Sequence, residues 1–397
     1  MLISLQEAQQ IVVQKARFLG TETVALPQVQ GRVIAESIVA DRDYPPFNRA
    51  AMDGFAIKSA DWDLGCRTFQ MVETIFAGSI HTIALQQNGC YKIMTGAAVP
   101  PDADTIIRVE DSHLEGTNVS FANELKVSKG QNVATKGQDM HAKTLVLPSH
   151  TRCTPAVTTL LASLGKYNVL VHQLPKVAIV TTGNEVKEPD SIVNEVQIRN
   201  SNKYLLMALL QQWQIAQPTC LHLPDHPELL NQGIASVLQH DMVICCGGVS
   251  AGDADFVPQI LQTLGVQKLF HKVAIRPGKP IWCGLMPNGG LFFALPGNPF
   301  SCMVTFMLFV VPYLRACFGM LPQLPSICLP LANSRTKKTA FDEFFPVTIQ
   351  GQPAQAHSLP FNGSGDITAA MLANGIAQHP NAVATLSEND IVAVLLT

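Results

Sequence analysis

Residues 246–256, Cys246-Gly247-Gly248-Val249-Ser250-Ala251-Gly252-Asp253-Ala254-Asp255-Phe256, join a glycine-rich turn to two carboxylates directly after an apolar run. Glycines at such a junction let backbone N–H groups approach an anion, and the start of a following helix adds partial positive charge. Asp253 and Asp255 alone would repel a phosphate. They make chemical sense with a divalent cation between them and the ligand, since magnesium takes oxygen ligands and bridges carboxylate to phosphate. The plainer reading is that both aspartates cap the helix, and this loop by itself leaves the two readings level.

A second junction favours the ligand. The apolar run Leu291 to Leu295 ends in Pro296-Gly297-Asn298-Pro299-Phe300-Ser301, after which Cys302 to Leu314 is an almost wholly apolar helical stretch. Pro299 suits the first helical turn, where no N–H is missed. Between the two junctions lies Lys272-Val273-Ala274-Ile275-Arg276-Pro277-Gly278-Lys279-Pro280, a loop bounded by strand-like segments that carries the cations Lys272, Arg276 and Lys279. Two anion-compatible helix starts and a cationic loop imply a polyanionic ligand.

These residues need elements to hold them. Val177 to Val180 reads as strand, Asn200 to Trp213 as helix, Thr219 to Leu223 as strand and Glu228 to Leu238 as helix. Asp241 to Cys246 follows as a buried strand, with Cys245 and Cys246 alternating across it, and Phe256 to Leu264 as helix. Such alternation predicts a mostly parallel sheet with helices on both faces, and ligands then bind beyond the carboxyl ends of the strands. Thr181-Thr182-Gly183-Asn184-Glu185, Pro224-Asp225-His226 and the Gly247 and Pro296 loops all fall on that edge. Glu185, Asp225, Asp253 and Asp255 are therefore expected to converge with Ser250, Ser301 and Lys279 around one crevice.

Around this core the texture differs. Leu5 to Leu19 has helical periodicity, and Val24 to Ala40 is partly extended. Short β-rich segments follow the Pro-rich 41–47 stretch, punctuated by turns such as Asn88-Gly89 and Pro100-Pro101-Asp102. Beyond Leu321-Pro322 the helical signal stops, and Phe344 to Ile349 and Ile391 to Leu396 read as strands. The fold class expected is a multidomain α/β protein. Its parts are an N-terminal helical and extended linker domain (1–40 plus 141–173), a β-rich lobe (41–140), the α/β domain (174–320) and a small C-terminal β-domain (321–397).

Composition removes several function classes. With 397 residues, 47% hydrophobic and 14% charged, the chain can bury large cores, and a net charge of -3 without basic blocks gives no footprint for nucleic acid. Ten scattered cysteines without a CxxC pair, and an N-terminus without a basic n-region and apolar core, lead us to expect reduced thiols in a cytoplasmic protein. Phe292 to Leu314, the one membrane candidate, is broken by Pro296, Gly297, Asn298, Pro299 and Pro312, and is expected to be a core helix. No Walker A loop, GxGxxG or HExxH occurs. Gly248-Val249-Ser250-Ala251-Gly252 does match the G-x-S-x-G nucleophile elbow of serine hydrolases, with Asp342 and His357 as nominal partners that lie away from the sheet.

Taken together the motifs resemble the MoeA-type molybdenum insertases, which include the C-terminal domain of gephyrin. The resemblance is carried by Pro45-Pro46-Phe47, Ala51-Met52-Asp53-Gly54-Phe55-Ala56, Thr95-Gly96-Ala97, Thr182-Gly183-Asn184-Glu185, Gly247-Gly248-Val249-Ser250, Arg276-Pro277-Gly278-Lys279-Pro280 and Pro296-Gly297-Asn298-Pro299. It implies a molybdopterin molybdenumtransferase that cleaves adenylylated molybdopterin, inserts molybdate into its dithiolene and releases AMP, with a molybdopterin adenylyltransferase as pathway partner. It also implies a homodimer whose crevice lies between the α/β domain of one subunit and the β-rich lobe of the other.

In that reading Asp53, Asp139, Glu185, Asp225 and Asp255 are catalytic, and Glu185, Asp225, Asp253 and Asp255 position Mg2+. Lys272, Arg276 and Lys279 balance phosphate and molybdate, while Thr95, Gly247, Gly248, Ser250, Pro296, Gly297, Asn298, Pro299, Ser301 and Ser364 cradle the ligand. Asp53-Gly54 also reads as an ordinary turn. The chain departs from the family in carrying Arg276 where lysine is common, and in having no arginine across 339–346, although Arg335, Lys337 and Lys338 lie just upstream. A non-catalytic paralogue that only holds molybdopterin is the alternative the departures raise.

Overall fold

The computed structural model describes residues 2–248 and 256–397. The chain divides into two compact units: Met1–Ala35, His150–Thr158 and Asn168–Thr397 form the larger, and Glu36–Ser149 with Thr159–Tyr167 the smaller.

The larger unit is organised by a six-stranded sheet. Its elements in chain order are β1 (Val177–Thr182), α1 (Ser201–Gln211), β2 (Thr219–Leu223), α2 (Pro227–Val237), β3 (Met242–Cys246), α3 (Val257–Thr263), β4 (Gln267–His271), β5 (Trp282–Leu285) and β6 (Leu291–Leu295). The spatial order is β2-β1-β3-β6-β5-β4. The first four strands run parallel, and β5 and β4 add an antiparallel edge. Parallel strands covered on both faces read as continuous apolar runs, and β1, β3 and β6 are buried at every position.

Alternation assigns the faces. Ile179, Ile244 and Cys246 pack with α1, whereas Ala178, Val180 and Cys245 pack with α2 and α3. The adjacent cysteines thus point to opposite sides, as their place in a buried strand predicts.

After β6 the chain enters α4, a continuous helix over Pro299–Cys317, 83% buried. It is the core helix expected. Its middle turn, Phe306–Val310, is a π-helix. Pro312 has no N–H to give the carbonyl of Leu308, and its ring crowds that carbonyl; widening of the helix relieves the crowding, and Gln9 Nε2 takes the orphaned Leu308 oxygen at 3.0 Å.

Gln9 belongs to the N-terminal helix Leu5–Gln14, which opens with a capping box between Ser4 and Glu7. This helix ends at Gln14, short of Leu19, the end its periodicity predicts, and beyond it Arg17 bonds the Asn288 carbonyl at 2.7 Å and pairs with Asp241.

The C-terminal sheet contains β7 (Ile327–Pro330), β8 (Asp342–Gln350), β9 (Gly375–His379) and β10 (Ile391–Leu396). At its edge the two-residue strand Ile275–Arg276, from the cationic loop, pairs in parallel with Asp342 and Glu343 of β8. The cationic loop is therefore shared between the α/β sheet and the C-terminal sheet.

The smaller unit is built on a six-stranded sheet of its own, in the order 105–108, 54–57, 89–93, 68–75, 118–121, 112–115. Gly54 is required there, since a Cβ would lie 2.1 Å from the Ile107 carbonyl oxygen.

Candidate functional site

Two cavities open at the carboxyl ends of the parallel strands. Cavity A, about 980 Å³, lies between the Gly247-Gly248 and Pro296–Ser301 turns and the cationic loop on one side and the C-terminal domain on the other. Cavity B, about 750 Å³, is lined by the strand-end residues Thr181 to Gly183, Glu185 and Asp225. Gly247, Gly248, Gly297 and Asn298 line both, so the two meet across these turns.

The turns are held by local bonds. Gly247 N–H donates to the Leu295 carbonyl at 3.2 Å, and Asn202 Nδ2 to the Gly297 carbonyl at 2.6 Å. Gly247 and Gly248 take φ of +101° and +67°. A Cβ on either would come within 2.7 Å of the Thr182 hydroxyl or of Val257 respectively. Glycine is thus demanded by both backbone and space.

Ser364 is presented to cavity A by a turn that Asp366 ties down. Its carboxylate accepts from the Asn362, Thr368 and Ala369 amides and the Thr368 hydroxyl. These bonds pull the Asp366 carboxyl down to about 2. Asn298 Nδ2 donates to Ser364 Oγ at 2.9 Å, and Phe300 N–H to the Ser364 carbonyl at 3.3 Å. The C-terminal domain is in this way bonded to the start of α4.

Cavity A is strongly cationic. Arg276, Lys279, Arg335, Lys337 and Lys338 line it against Glu343, the single carboxylate of its lining among the described residues. Burial by itself would raise Glu343, but hydrogen bonds from Thr339 Oγ1 (2.7 Å) and Arg335 Nη2 (2.6 Å), aided by the charge of Arg276, hold it below its ordinary value. Burial and then the Arg335 charge push His379 down, and its Nδ1 lies 2.8 Å from Arg335 Nη1. Lys337 is turned onto the Phe341 and Pro380 carbonyls, and burial lowers it. Lys279 stands over the Phe341 ring at 5.5 Å, and Arg276, Lys279 and Lys338 are exposed to the cavity's solvent. Such a lining suits a multiply charged oxyanion.

Cavity B carries the opposite signature. Glu185 and Asp225 line it together with Arg199. The Glu185 carboxylate folds back over Gly183, where a Cβ would meet it at 2.7 Å, and Asp225 N–H is received by Asn184 Oδ1 at 3.2 Å. No group of three or more His, Cys, Asp or Glu side chains that could hold a metal occurs among the described residues. Two carboxylates lining one cavity nevertheless fit magnesium, which keeps most of its waters and is bound through one or two such groups.

The predicted set thus divides. Glu185 and Asp225 come together in cavity B, whereas Arg276, Lys279, Ser301 and Ser364 come together in cavity A, rather than all around one crevice. Lys272 lines neither cavity; its backbone, at φ +71°, is used in bonds to Ile3 and Ile281. Ser250, Asp253 and Asp255 lie outside the described residues.

In the smaller unit Asp53 and Thr95 meet, with both the amide and the hydroxyl of Thr95 donating to Asp53 Oδ1 at 2.6 Å and holding its pKa down. Asp139 is exposed, its N–H bonded to the Tyr44 carbonyl at 3.0 Å. Asp342 and His357 sit within the C-terminal sheet, where Asp342 accepts from Gln378 and Asn381.

Two site residues escaped the sequence reading. Asn200, buried beside cavity B, caps α1 and donates to Thr181 Oγ1 at 2.9 Å; its position before an apolar helix was a usable cap signal. Asn202 had no local signal, because its role is a tertiary bond to the Gly297 turn.

A parallel α/β domain bearing a cation-lined cavity, in a chain that also holds a β-rich unit and a C-terminal β-domain, defines a class of multidomain α/β protein whose site suits an oxyanion. Comparison with known proteins makes the class specific. Residues 3–165 match the MoeA N-terminal region (domain I and II), 178–316 a probable molybdopterin binding domain, and 329–397 the MoeA C-terminal region (domain IV).

The molybdopterin molybdenumtransferase of Synechocystis sp. is 32% identical over 384 residues, 96% of each chain. That of Staphylococcus aureus (strain Mu50) is 32% identical over 407 residues, covering 100% of this chain and 96% of the relative. The crystal structure of a molybdopterin biosynthesis MoeA protein from Pyrococcus horikoshii OT3 superposes with a TM-score of 0.83 at 26% identity over the full length of both chains. The chain belongs to the molybdopterin molybdenumtransferase (MoeA) family, transferases of molybdenum cofactor biosynthesis.

Proposed function

We propose that this protein inserts molybdate into adenylylated molybdopterin with release of AMP, in a magnesium-dependent reaction. The observation that carries the reading is the junction of a cationic cavity with a carboxylate-bearing one across the Gly247-Gly248 and Gly297-Asn298 turns.

Cavity A takes the molybdate substrate. Arg276 and Lys279 offset its charge, and Ser301 and Ser364 offer hydroxyls to its oxygens. Cavity B takes the phosphoanhydride link of the nucleotide, beside the Gly247-Gly248 turn. Glu185 and Asp225 would hold magnesium there, with Asp253 and Asp255 assigned to the same task from the family resemblance, and a bound ion would supply positive charge to offset that of the leaving AMP. Glu185 and Asp225 also orient water at the phosphorus.

We further propose a cytoplasmic homodimer in which Asp53, Thr95 and Asp139 of one subunit complete the site of the other, and in which Lys272 adds long-range positive charge. A molybdopterin adenylyltransferase supplies the substrate. Support for these points is the family membership, together with Asp53 and Thr95 forming a preformed acceptor-and-hydroxyl pair. The serine-hydrolase reading is disfavoured by the commitment of Asp342 to Gln378 and Asn381.

The test is AMP release by the purified protein from adenylylated molybdopterin, with magnesium and with or without molybdate. Molybdate-dependent release whose product activates an apo-molybdoenzyme is expected. Tight molybdopterin binding without any release would replace this reading with a non-catalytic paralogue.

A further inference from the structure

Behind the turns that join the two cavities lies a pair of thiols that the proposed reaction does not use. Cys246 ends β3 and Cys302 sits in the first turn of α4, and their sulfurs are 3.8 Å apart. Both are buried, yet Cys246 contributes to the wall of cavity B. Asn202 Nδ2 donates to Cys246 Sγ at 3.0 Å, while Asn202 Oδ1 is buried without a hydrogen-bond partner. The Cys246 thiol faces the Pro296 carbonyl at 3.3 Å.

We propose that Cys246 and Cys302 form a two-thiolate site for a soft monovalent metal ion of the Cu(I) and Ag(I) type, reached from cavity B. Thiolate donors select such ions. The donor count makes the choice narrower. Structural zinc completes a tetrahedron of four protein ligands, and among the described residues no third His, Cys, Asp or Glu forms a metal-holding group with this pair, whereas Cu(I) is satisfied by two collinear thiolates.

The required movement is small. With the zinc–thiolate length of about 2.3 Å as a guide, two collinear metal–sulfur bonds span about 4.6 Å, so the sulfurs need only part slightly from their present 3.8 Å.

The step balances without any redox partner. Two S–H bonds break, two sulfur–metal bonds form, two protons pass to water through cavity B, and the oxidation state of the metal is unchanged. The bound centre carries one net negative charge. It is offset by the N-terminal end of the 19-residue helix α4, which favours thiolate in its first turn, and by the Asn202 N–H. Without metal the sulfur contact with Cys246 and burial both push the Cys302 thiol up.

The test uses the reduced, full-length protein under anaerobic conditions, titrated with Cu(I) buffered by bicinchoninate. The wild type should withhold a single equivalent from the chelator, and Cys246→Ser and Cys302→Ser should each lose it. Cys328→Ser, at an exposed position, and Cys66→Ser, in the smaller unit, should retain it.

A readout on the unmodified protein guards against variants that fail to fold: wild-type crystals soaked in Ag(I) should show an anomalous peak between the two sulfurs. Failure of the wild type to withhold copper, retention by both pair variants, or silver bound elsewhere would each overturn the proposal. The assay needs no pterin substrate, so these failures leave the molybdenum-insertion reading standing.

Discussion

Replacing Glu343 with glutamine probes the charge balance of cavity A, because this is the one carboxylate among the described residues lining it and it is 4% exposed. The side chain accepts from Arg335 at 2.6 Å and from Thr339 at 2.7 Å. Glutamine keeps the shape and can still accept from Thr339, but it leaves the Arg335 guanidinium without its anion. Breaking a buried ion pair costs about 3–5 kcal/mol.

Arg335 is not fully enclosed, with a fifth of its side chain accessible, and it keeps His379 and the face of Phe345 as neighbours. The expected loss for Glu343→Gln is therefore about 2–3 kcal/mol, near the range for a hydrogen bond between charged groups, with Glu343→Ala slightly worse. The assay is urea unfolding of the full chain, followed by a probe on the C-terminal domain.

Thr339→Val, which removes a bond to the same carboxylate but no charge, should cost about 1 kcal/mol. The double variant Arg335→Met with Glu343→Gln should cost clearly less than the two single changes summed, because removing both charges leaves neither unpaired. If Glu343→Gln lies within about 0.5 kcal/mol of wild type, or if the pair is additive, the ion pair does not organise this wall. Molybdate binding by the folded fraction of Glu343→Gln should not weaken, since the change makes the cavity more positive.

Other outcomes follow from the same geometry. His379 is held below its ordinary value in the folded chain, so the unfolded chain binds the proton more readily; stability should be intact above about pH 6.5 and fall as the pH drops below it, and His379→Gln should flatten that slope in thermal unfolding. Gly247→Ala meets both φ +101° and a 2.7 Å approach to Thr182 Oγ1, and should cost about 1–3 kcal/mol in denaturant melts; a silent change would mean the turn is free to relax. Ser364→Ala removes the bond from Asn298, and should cost about 1 kcal/mol and raise amide exchange across residues 362–369. Molybdate affinity should decline steeply with added salt, and less steeply in Lys279→Ala, if the exposed cations of cavity A supply long-range attraction.

Much of the frame was legible because it is local. The central parallel strands β1, β3 and β6 announce themselves as runs buried on both faces, and Thr219–Leu223, Leu291–Leu295 and Ile391–Leu396 coincide with the segments read from sequence. Helix starts followed Asn200, Pro227 and Pro299, where cap and proline signals stand. The strand-end rule then located Glu185, Asp225 and both glycine-bearing turns. It could not say that the crevice is two cavities.

The wall of cavity A draws on Ile275–Arg276, which pairs with Asp342 and Glu343, a contact between segments far apart in sequence with no local signature. The same pairing turns the absence of arginines from 339–346 into a smaller matter than sequence suggested. Arg335, Lys337 and Lys338, just upstream, line cavity A directly, but only Lys338 among them points its charge to solvent without a carbonyl or carboxylate partner in the described residues.

The π turn shows the converse limit. Pro312 removes an N–H from an apolar helical run, and the chain keeps one helix from Pro299 to Cys317 by widening it and lending the Leu308 carbonyl to Gln9. Gln9→Ala removes that acceptance and leaves a main-chain oxygen with no donor in a part-buried place, a cost of about 1–3 kcal/mol. Because Ser301 lies on the same helix as Leu308, the loss should also appear as reduced protection of the first turn of α4 in hydrogen exchange. Unchanged protection there would mean that the π turn isolates the start of the helix from its middle, and that the site at Ser301 does not depend on how Pro312 is accommodated.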